Sequence, residues 1–328
     1  MNTAAYGTHF PTIADSLRLE RLRWPDRAVR MVLDTDAYNE VDDQFALVHA
    51  LLSPEKLAVQ AIYAAPFHNE RSTGPADGMH KSYEEILRLL VRLQVAAEGL
   101  VFPGAEAFLG ATLTPQPTPA ARDLVARALA SPADDPLYVV AIGAVTNVAT
   151  ALLLEPRIAA HIVVVWLGGH ALWWPDTAEF NLRQDIHAAR LLFDCGVPLI
   201  HLPCHGVVSH LLTTLPELDA HVRGRGRIGD YLADTVKAYA PDLLGWSKVV
   251  WDMAAVGWLL NGAWVPTELV HSPIVTDQLT WSTDRSRHLI RSAFSVQRDP
   301  LFGDLFAKLN VHAARAAGSH TAQKGERW

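Results

Sequence analysis

Apolar positions alternate along this chain between short β-branched runs and stretches with helical spacing. Val29 to Leu33 is a short run that stops at acidic residues, the pattern of a buried strand ending in a loop. From Asp42 the spacing turns helical, with Phe45, Val48, Leu51 and Leu52 on one face and Pro54 as the stop. Leu57 to Ala64 predicts the next strand, and Ile86, Leu89, Leu90 and Leu93 predict a helix from Ser82 to Val95. Leu137 to Ile142 and Ile162 to Leu167 predict two further strands. Each is followed by a helix, over Thr146 to Leu154 and Asp185 to Cys195, and Val197 to Leu202 reads as another strand. Residues 1–26 read as an N-terminal arm in which Leu17, Leu19 and Leu22 interleave with Arg and Glu, closed by Trp24-Pro25-Asp26. Residues 314–328 are small and polar enough to fray, and read as a flexible tail.

Strands alternating with helices at this spacing predict one α/β domain over residues 27–313, with a mainly parallel, helix-covered, Rossmann-like sheet. No internal repeat or low-complexity linker divides it. In such sheets ligands sit beyond the carboxyl ends of the strands, so the residues after each strand carry the functional interest.

Composition narrows the class. Of 328 residues half are apolar and 19% charged, which suits a globular chain with a sizeable core. The net charge of −7 is spread along the chain without clustered Lys and Arg, which argues against a nucleic-acid partner. The one short basic cluster, Arg223, Arg225 and Arg227, alternates with Gly and reads as a surface loop. Two cysteines, Cys195 and Cys204, exclude a disulfide framework and an all-thiolate metal cage. No apolar run reaches the roughly 18 to 20 residues needed to span a bilayer, and the first residues lack a secretory pattern. The expectation is a soluble cytoplasmic protein with no membrane partner.

The chemistry concentrates after the first strand. Asp34, Asp36, Glu40, Asp42 and Asp43 fall within ten residues. Like charges about 4 Å apart repel by roughly 4 kcal/mol at an effective dielectric near 20. A fold that gathers them needs a cation, shared protons or wide spacing. Carboxylates are hard oxygen ligands suited to Ca²⁺ or Mg²⁺. Taken alone, Asp42-Asp43 also suits a helix N-terminus. An EF-hand fails because Tyr38, Asn39 and Phe45 stand where its loop wants other residues. A phosphate-binding glycine loop is absent. A phosphotransferase of the haloacid-dehalogenase type also places Asp-x-Asp after a strand, with Asp34 essential, but Ala37-Tyr38-Asn39 departs from its usual continuation.

Read as one signature, Val32-Leu33-Asp34-Thr35-Asp36 with Asp42-Asp43 resembles the nucleoside hydrolases of the inosine–uridine-preferring superfamily. Their hallmark is Asp-Thr-Asp-Pro-Gly-x-Asp-Asp at the end of the first strand. Three further stretches resemble family segments in the same order: Ile142 to Ala149, Ala178-Glu179-Phe180-Asn181 with Asp185 beyond, and Val250-Trp251-Asp252 with the helical Met253 to Leu260. The resemblance spans about residues 28 to 262. It implies a nucleoside hydrolase-like α/β fold, one Ca²⁺, and hydrolysis of an N-glycosidic bond to ribose in a small-molecule nucleoside or riboside. It further implies a homodimer or homotetramer. Asp36, Asp43 and Asp252 would be carboxylate ligands, with the main-chain carbonyl of Ile142, and Asp36 would activate the water bound to that ion. Asp42 and Asn181 would hold the 2′- and 3′-hydroxyls of ribose, and Glu179 the 5′-hydroxyl. Asn147 reads instead as a helix-start residue and Asp185 as an N-cap.

Several positions depart from the family pattern. Five residues, Ala37 to Val41, separate Asp36 from Asp42 where the family usually has three. Of these, Asn39 and Glu40 are extra candidates for the site, with a solvated Glu40 as the other reading. The family asparagine after the second strand has Asn69 as its nearest counterpart. Trp173 stands where the family has an asparagine six positions before Glu179; with Trp174 it could wall the sugar or base pocket. Trp251 replaces a histidine proposed in relatives to protonate a departing purine, and an indole donates a hydrogen bond but no proton at neutral pH. His68, His80, His170 and His205 are the candidate replacements. The changes at Trp173 and Trp251 also leave open a nucleoside- or ribose-binding protein with impaired catalysis. Aromatics from Trp246 to Trp264 are read as an interface or pocket wall.

Overall fold

The β-branched runs become the strands of a central sheet. The computed structural model of the chain describes residues 8–325. Its strands are β1 (Val29–Thr35), β2 (Leu57–Ala64), β3 (Val101–Pro103), β4 (Leu137–Ala141), β5 (Ile162–Leu167), β6 (Leu199–Leu202), β7 (Leu212–Thr213), β8 (Lys248–Val249), β9 (Thr267–His271), β10 (Ile274–Val275), β11 (Trp281–Ser282) and β12 (Leu289–Ala293). Eight form one sheet in the order β3-β2-β1-β4-β5-β6-β12-β9, parallel except for β9, which pairs antiparallel with β12 at the edge. The pairs β7–β8 and β10–β11 are small antiparallel ribbons.

The helices are α1 (Asp15–Arg21), α2 (Asp43–Leu51), α3 (Pro75–Leu93), α4 (Pro119–Leu129), α5 (Thr146–Leu154), α6 (Phe180–Gln184), α7 (Ile186–Asp194), α8 (Leu215–His221), α9 (Gly226–Tyr239), α10 (Met253–Leu260) and α11 (Arg298–Gly325). They cover both faces of the sheet, because the strands are apolar on both sides. Along β4, Tyr138 and Val140 join Ile142 beyond the strand end in one core, shared with α2, α3, α9 and α10. Leu137, Val139 and Ala141 point into the other, shared with α4, α5 and α7. Helix α10 is apolar all round and buried from Met253 to Leu259, so it sits inside the first core rather than on the surface.

Three stretches differ from the sequence pattern. Residues 15–21 of the expected arm form α1, whose Arg18 donates from Nη1 to the Gly196 carbonyl at 2.7 Å and whose Arg21 donates to Ala133. At the other end α11 carries helical backbone through Gly325, because Ala313, Ala314, Ala316 and Ala317 favour helix. Residues 1–7 of the expected arm and 326–328 of the expected tail lie outside the described residues. Among the late aromatics, Trp258 is buried and Trp246 and Trp264 pack against the core, so most of that indole surface is internal, while Trp251 is part of a pocket wall as the sequence pattern suggests. Among the described residues no helix is long and apolar enough to cross a membrane.

Candidate active site

The chain leaves β1 towards β2 and β3 on one side, then returns to add β4 on the other. The carboxyl ends of β1 and β4 are therefore a topological switch point, where diverging connections open a crevice. Asp36 immediately follows β1, and Ile142-Gly143 follow β4. Asp252 is brought to the same place by the N-terminus of α10, and Glu179 and Asn181 by the start of α6.

The two aspartates of the first motif have separate fates. Asp34 is a strand residue, fully buried, and its Oδ1 accepts from Asn147 Nδ2 at 2.7 Å. Asn147 also donates to the Ala64 carbonyl and accepts from Ala105 N, so this helix-start residue ties β1, β2 and α5 together. An inaccessible Asp34 removes the phosphotransferase reading, which needs it as the nucleophile. Asp36 lies past the strand end, where the chain turns so that Asn39 N donates to the Asp36 carbonyl at 2.7 Å. Both its carboxylate oxygens are buried without a hydrogen-bond partner. A methyl group on Gly143 would stand 2.9 Å from Asp36 Oδ1, so the missing side chain makes room for this carboxylate.

Beside it, one carboxylate oxygen from each of Asp42, Asp43 and Asp252 lies within 4.8 Å of the others. The trio thus contains Asp42, with Asp36 as its neighbour. Asp43 also accepts from Thr35 Oγ1, and Asp42 Oδ2 from Trp251 N at 3.1 Å. Burial pushes Asp43 up to about 7, with Asp42 adding to it, and pushes Asp42 up to about 6. Burial and then the neighbouring aspartates hold Asp36 and Asp252 well above the usual carboxylate range. Such a group keeps protons at neutral pH unless a cation replaces them. The donor set is all oxygen and unpartnered at Asp36, which fits a hard divalent ion.

Asp42, Asp43 and Asp252 floor a cavity of about 570 Å³, lined also by Ile142, Glu179, Asn181, Asn69 and Trp251, whereas the buried Asp36 is not among the lining residues. Glu179 caps α6 and accepts from the backbone N–H groups of Gly169, Asn181 and Leu182, which fixes its carboxylate. Asn181 Nδ2 donates to the carbonyls of Ile142 and Leu167 at 3.0 and 3.1 Å. Asp185 caps α7 through Ala188 N and accepts from Thr146 Oγ1. Trp173 is 70% exposed and is not among the lining residues. Its neighbour Trp174 stacks on His205, with ring centroids 5.6 Å apart. His68, His170 and His205 line the cavity, whereas His80 pairs with Glu106 outside it.

The insertion is built into the wall. Asn39 Oδ1 accepts from Asn69 Nδ2 at 2.7 Å, and Arg71 donates to the Glu40 carbonyl. Glu40 is not merely solvated: Lys248 Nζ donates to its Oε2 at 2.6 Å and Tyr239 Oη to its Oε1 at 3.1 Å. Burial raises the Glu40 pKa, but the Lys248 charge outweighs it and the net shift is downward. Lys248 and the cavity-lining Cys204 escaped the sequence reading. A lone lysine opening the apolar run Lys248 to Trp251 was the available signal.

The family profile described as "Inosine-uridine preferring nucleoside hydrolase" matches residues 31–300, and the chain belongs to that family. Among named relatives it is similar to the pyrimidine-specific ribonucleoside hydrolase RihA of Escherichia coli O81 (strain ED1a), at 31% identity over 196 residues. RihA of Klebsiella pneumoniae (strain 342) matches at the same identity. Each match covers 53% of this chain and 59% of the relative, so the chain spans little more than half the length of the curated relatives it matches. In fold it is similar to a purine-preferring ribonucleoside hydrolase from Gardnerella vaginalis, with a TM-score of 0.69, 20% identity, and 87% and 99% of the two chains covered. A plant nucleoside hydrolase, PpNRh1, gives 0.66 at 20% identity, over 86% of this chain and 99% of that one.

Proposed function

We propose that this protein hydrolyses the N-glycosidic bond of a ribonucleoside or related N-riboside, releasing base and ribose, with Ca²⁺ as its ion. The observation that carries the reading is the unpartnered, buried Asp36 carboxylate beside the Asp42–Asp43–Asp252 trio at the floor of the cavity.

Asp36, Asp43, Asp252 and the Ile142 carbonyl would hold the ion. When bound, it supplies positive charge that lowers the pKa of an attacking water. Asp36 then accepts the proton of that water. Asn181 has committed its Nδ2 to two carbonyls, which leaves Oδ1 to accept from a ribose hydroxyl. Asp42 accepts from the adjacent hydroxyl, and the rigid Glu179 from the 5′-hydroxyl. Rupture at C1′ builds oxocarbenium character on the sugar, and the surrounding carboxylates stabilise it more than the neutral ground state.

The test incubates the protein, with Ca²⁺ or with a chelator, against p-nitrophenyl riboside and against purine and pyrimidine ribonucleosides, and assays released reducing sugar. Turnover that needs Ca²⁺ and is abolished together with Ca²⁺ affinity by Asp43→Asn is the expected result. Full activity of Asp43→Asn, or of the chelated protein, overturns the mechanism. Ca²⁺ and ribose binding with no cleavage of any substrate would make this a binding protein.

A further inference from the structure

With Trp251 beside Asp252, the residue next to the acidic floor cannot protonate a departing base. The cavity wall nevertheless carries an imidazole in contact with that indole. His205 meets Trp251 edge to face, with ring centroids 5.4 Å apart at 82°. Trp174 stacks on it, with the two ring planes at 14°. His205 lies just past β6, in the tight turn Cys204–Val208, where Gly206 takes φ of 87°. Its ring is thus in contact with two indoles on the wall of the cavity whose floor is acidic.

We infer that His205 is the general acid that protonates the leaving group, in place of the missing histidine at the Trp251 position; this rests on the N-ribosidase reading above.

Its neighbours fit that role. His170 faces it at 4.5 Å between ring centroids, and His170 Nδ1 accepts from His205 N at 3.3 Å. Burial, and then the charge of His205, push His170 down to about 4. His170 is therefore neutral at neutral pH. Asp176 lies 3.9 Å from His170 Nε2. Glu179 is in hydrogen-bond contact with the Cys204 thiol, and burial followed by Glu179 holds that thiol well above its ordinary value, so it stays protonated. The acidic floor, Asp42 and Asp252 included, completes the charged surroundings. His68, also on the wall, is bound through its backbone to Gln184 and through Nδ1 to Ser72 Oγ at 3.5 Å, and among the described residues it has no such aromatic contacts.

In the step, the C1′–N bond breaks and its electron pair passes to the base nitrogen, which takes the proton of the His205 imidazolium. Water adds its oxygen to C1′ and gives its proton to Asp36. The products are ribose and neutral base, and solvent returns a proton to His205 and removes one from Asp36.

The experiment compares phenyl riboside, whose leaving group needs a proton, with p-nitrophenyl riboside, whose leaving group does not. Both are assayed with wild type, His205→Gln and His68→Gln in Ca²⁺. General-acid loss costs about 10²- to 10⁴-fold. His205→Gln should lose that much kcat on phenyl riboside, far less on p-nitrophenyl riboside, and the alkaline limb of its phenyl riboside pH profile. His68→Gln should keep the wild-type ratio of the two rates. Equal losses on both ribosides, no loss on phenyl riboside, or the selective loss in His68→Gln overturns the assignment. If wild type cleaves neither riboside and no purine or pyrimidine ribonucleoside, the N-ribosidase reading itself falls and the assignment with it, a result distinct from the other three; if it cleaves ribonucleosides alone, an undiminished kcat of His205→Gln on them overturns the assignment.

Discussion

Lys248 Nζ lies 3.5 Å from Asp42 Oδ1, and the lysine side chain is only 7% exposed. A buried ammonium beside a buried carboxylate is held there by their mutual charge: burial lowers the lysine pKa, and Asp42 and Glu40 more than restore it. Since Lys248 also grips Glu40, one side chain ties the insertion after β1 to a residue of the acidic floor.

Lys248→Met should therefore raise the Asp42 pKa and shift the pH–rate profile to higher pH. It should also lower kcat/KM at neutral pH by about 10-fold or more, since one pKa unit is a factor of ten in the ionised fraction. A pH profile of unchanged position, with an unchanged rate at neutral pH, would contradict this.

Ca²⁺ affinity should rise with pH between about 5 and about 8, because protons must leave before the ion binds. In the cation-free protein each raised carboxyl contributes stability that is fully present below its unfolded pKa and lost as pH rises through the folded value, about 6 for Asp42 and about 7 for Asp43. The Ca²⁺-induced increase in Tm should accordingly grow over that range. His170, His201 and His288 act in the opposite sense, held down to about 4, 4 and 3 mainly by burial. They do so with or without the ion and largely cancel in the difference. A Tm increase that is flat or falls with pH would refute the coupling.

Asn147→Ala should destabilise the fold by about 2 to 4 kcal/mol. It strips the Asp34 carboxylate of its partner and leaves Ala105 N unpaired, each a buried polar group costing about 1–3 kcal/mol. Denaturant unfolding measures it; a loss under about 0.5 kcal/mol, within the range of neutral surface changes, would show that water or a shifted side chain replaces the amide.

Gly143→Ala should act on chemistry more than on stability. The added methyl sits 2.9 Å from Asp36 Oδ1 and 3.0 Å from Asp36 Cγ, so the carboxylate must move. Misplacing a reacting group by about 1 Å can cost about 100-fold. We expect kcat to fall by that order with KM nearly unchanged, measured by steady-state kinetics. Wild-type kcat would show that Asp36 tolerates displacement.

Much of this was legible along the chain. Short β-branched runs determined the first strands, because a parallel sheet covered on both faces needs strands apolar on both sides. The acidic signature and the Glu179 to Asn181 segment declared their chemistry, since charged groups next to buried strands have few inexpensive places to go. What the chain order could not decide was pairing at a distance. That Asp34 braces the fold while Asp36 is left unpartnered beside Asp42 and Asp43 depends on where β1 ends and on Asn147, 113 residues away. Glu40 is drawn from solvent by Lys248, 208 positions later. His205 becomes a chemical group only because the turn after β6 brings it against Trp251. Periodicity reports which face of an element is apolar; which charges meet depends on how the sheet orders its strands, and only the folded chain sets that.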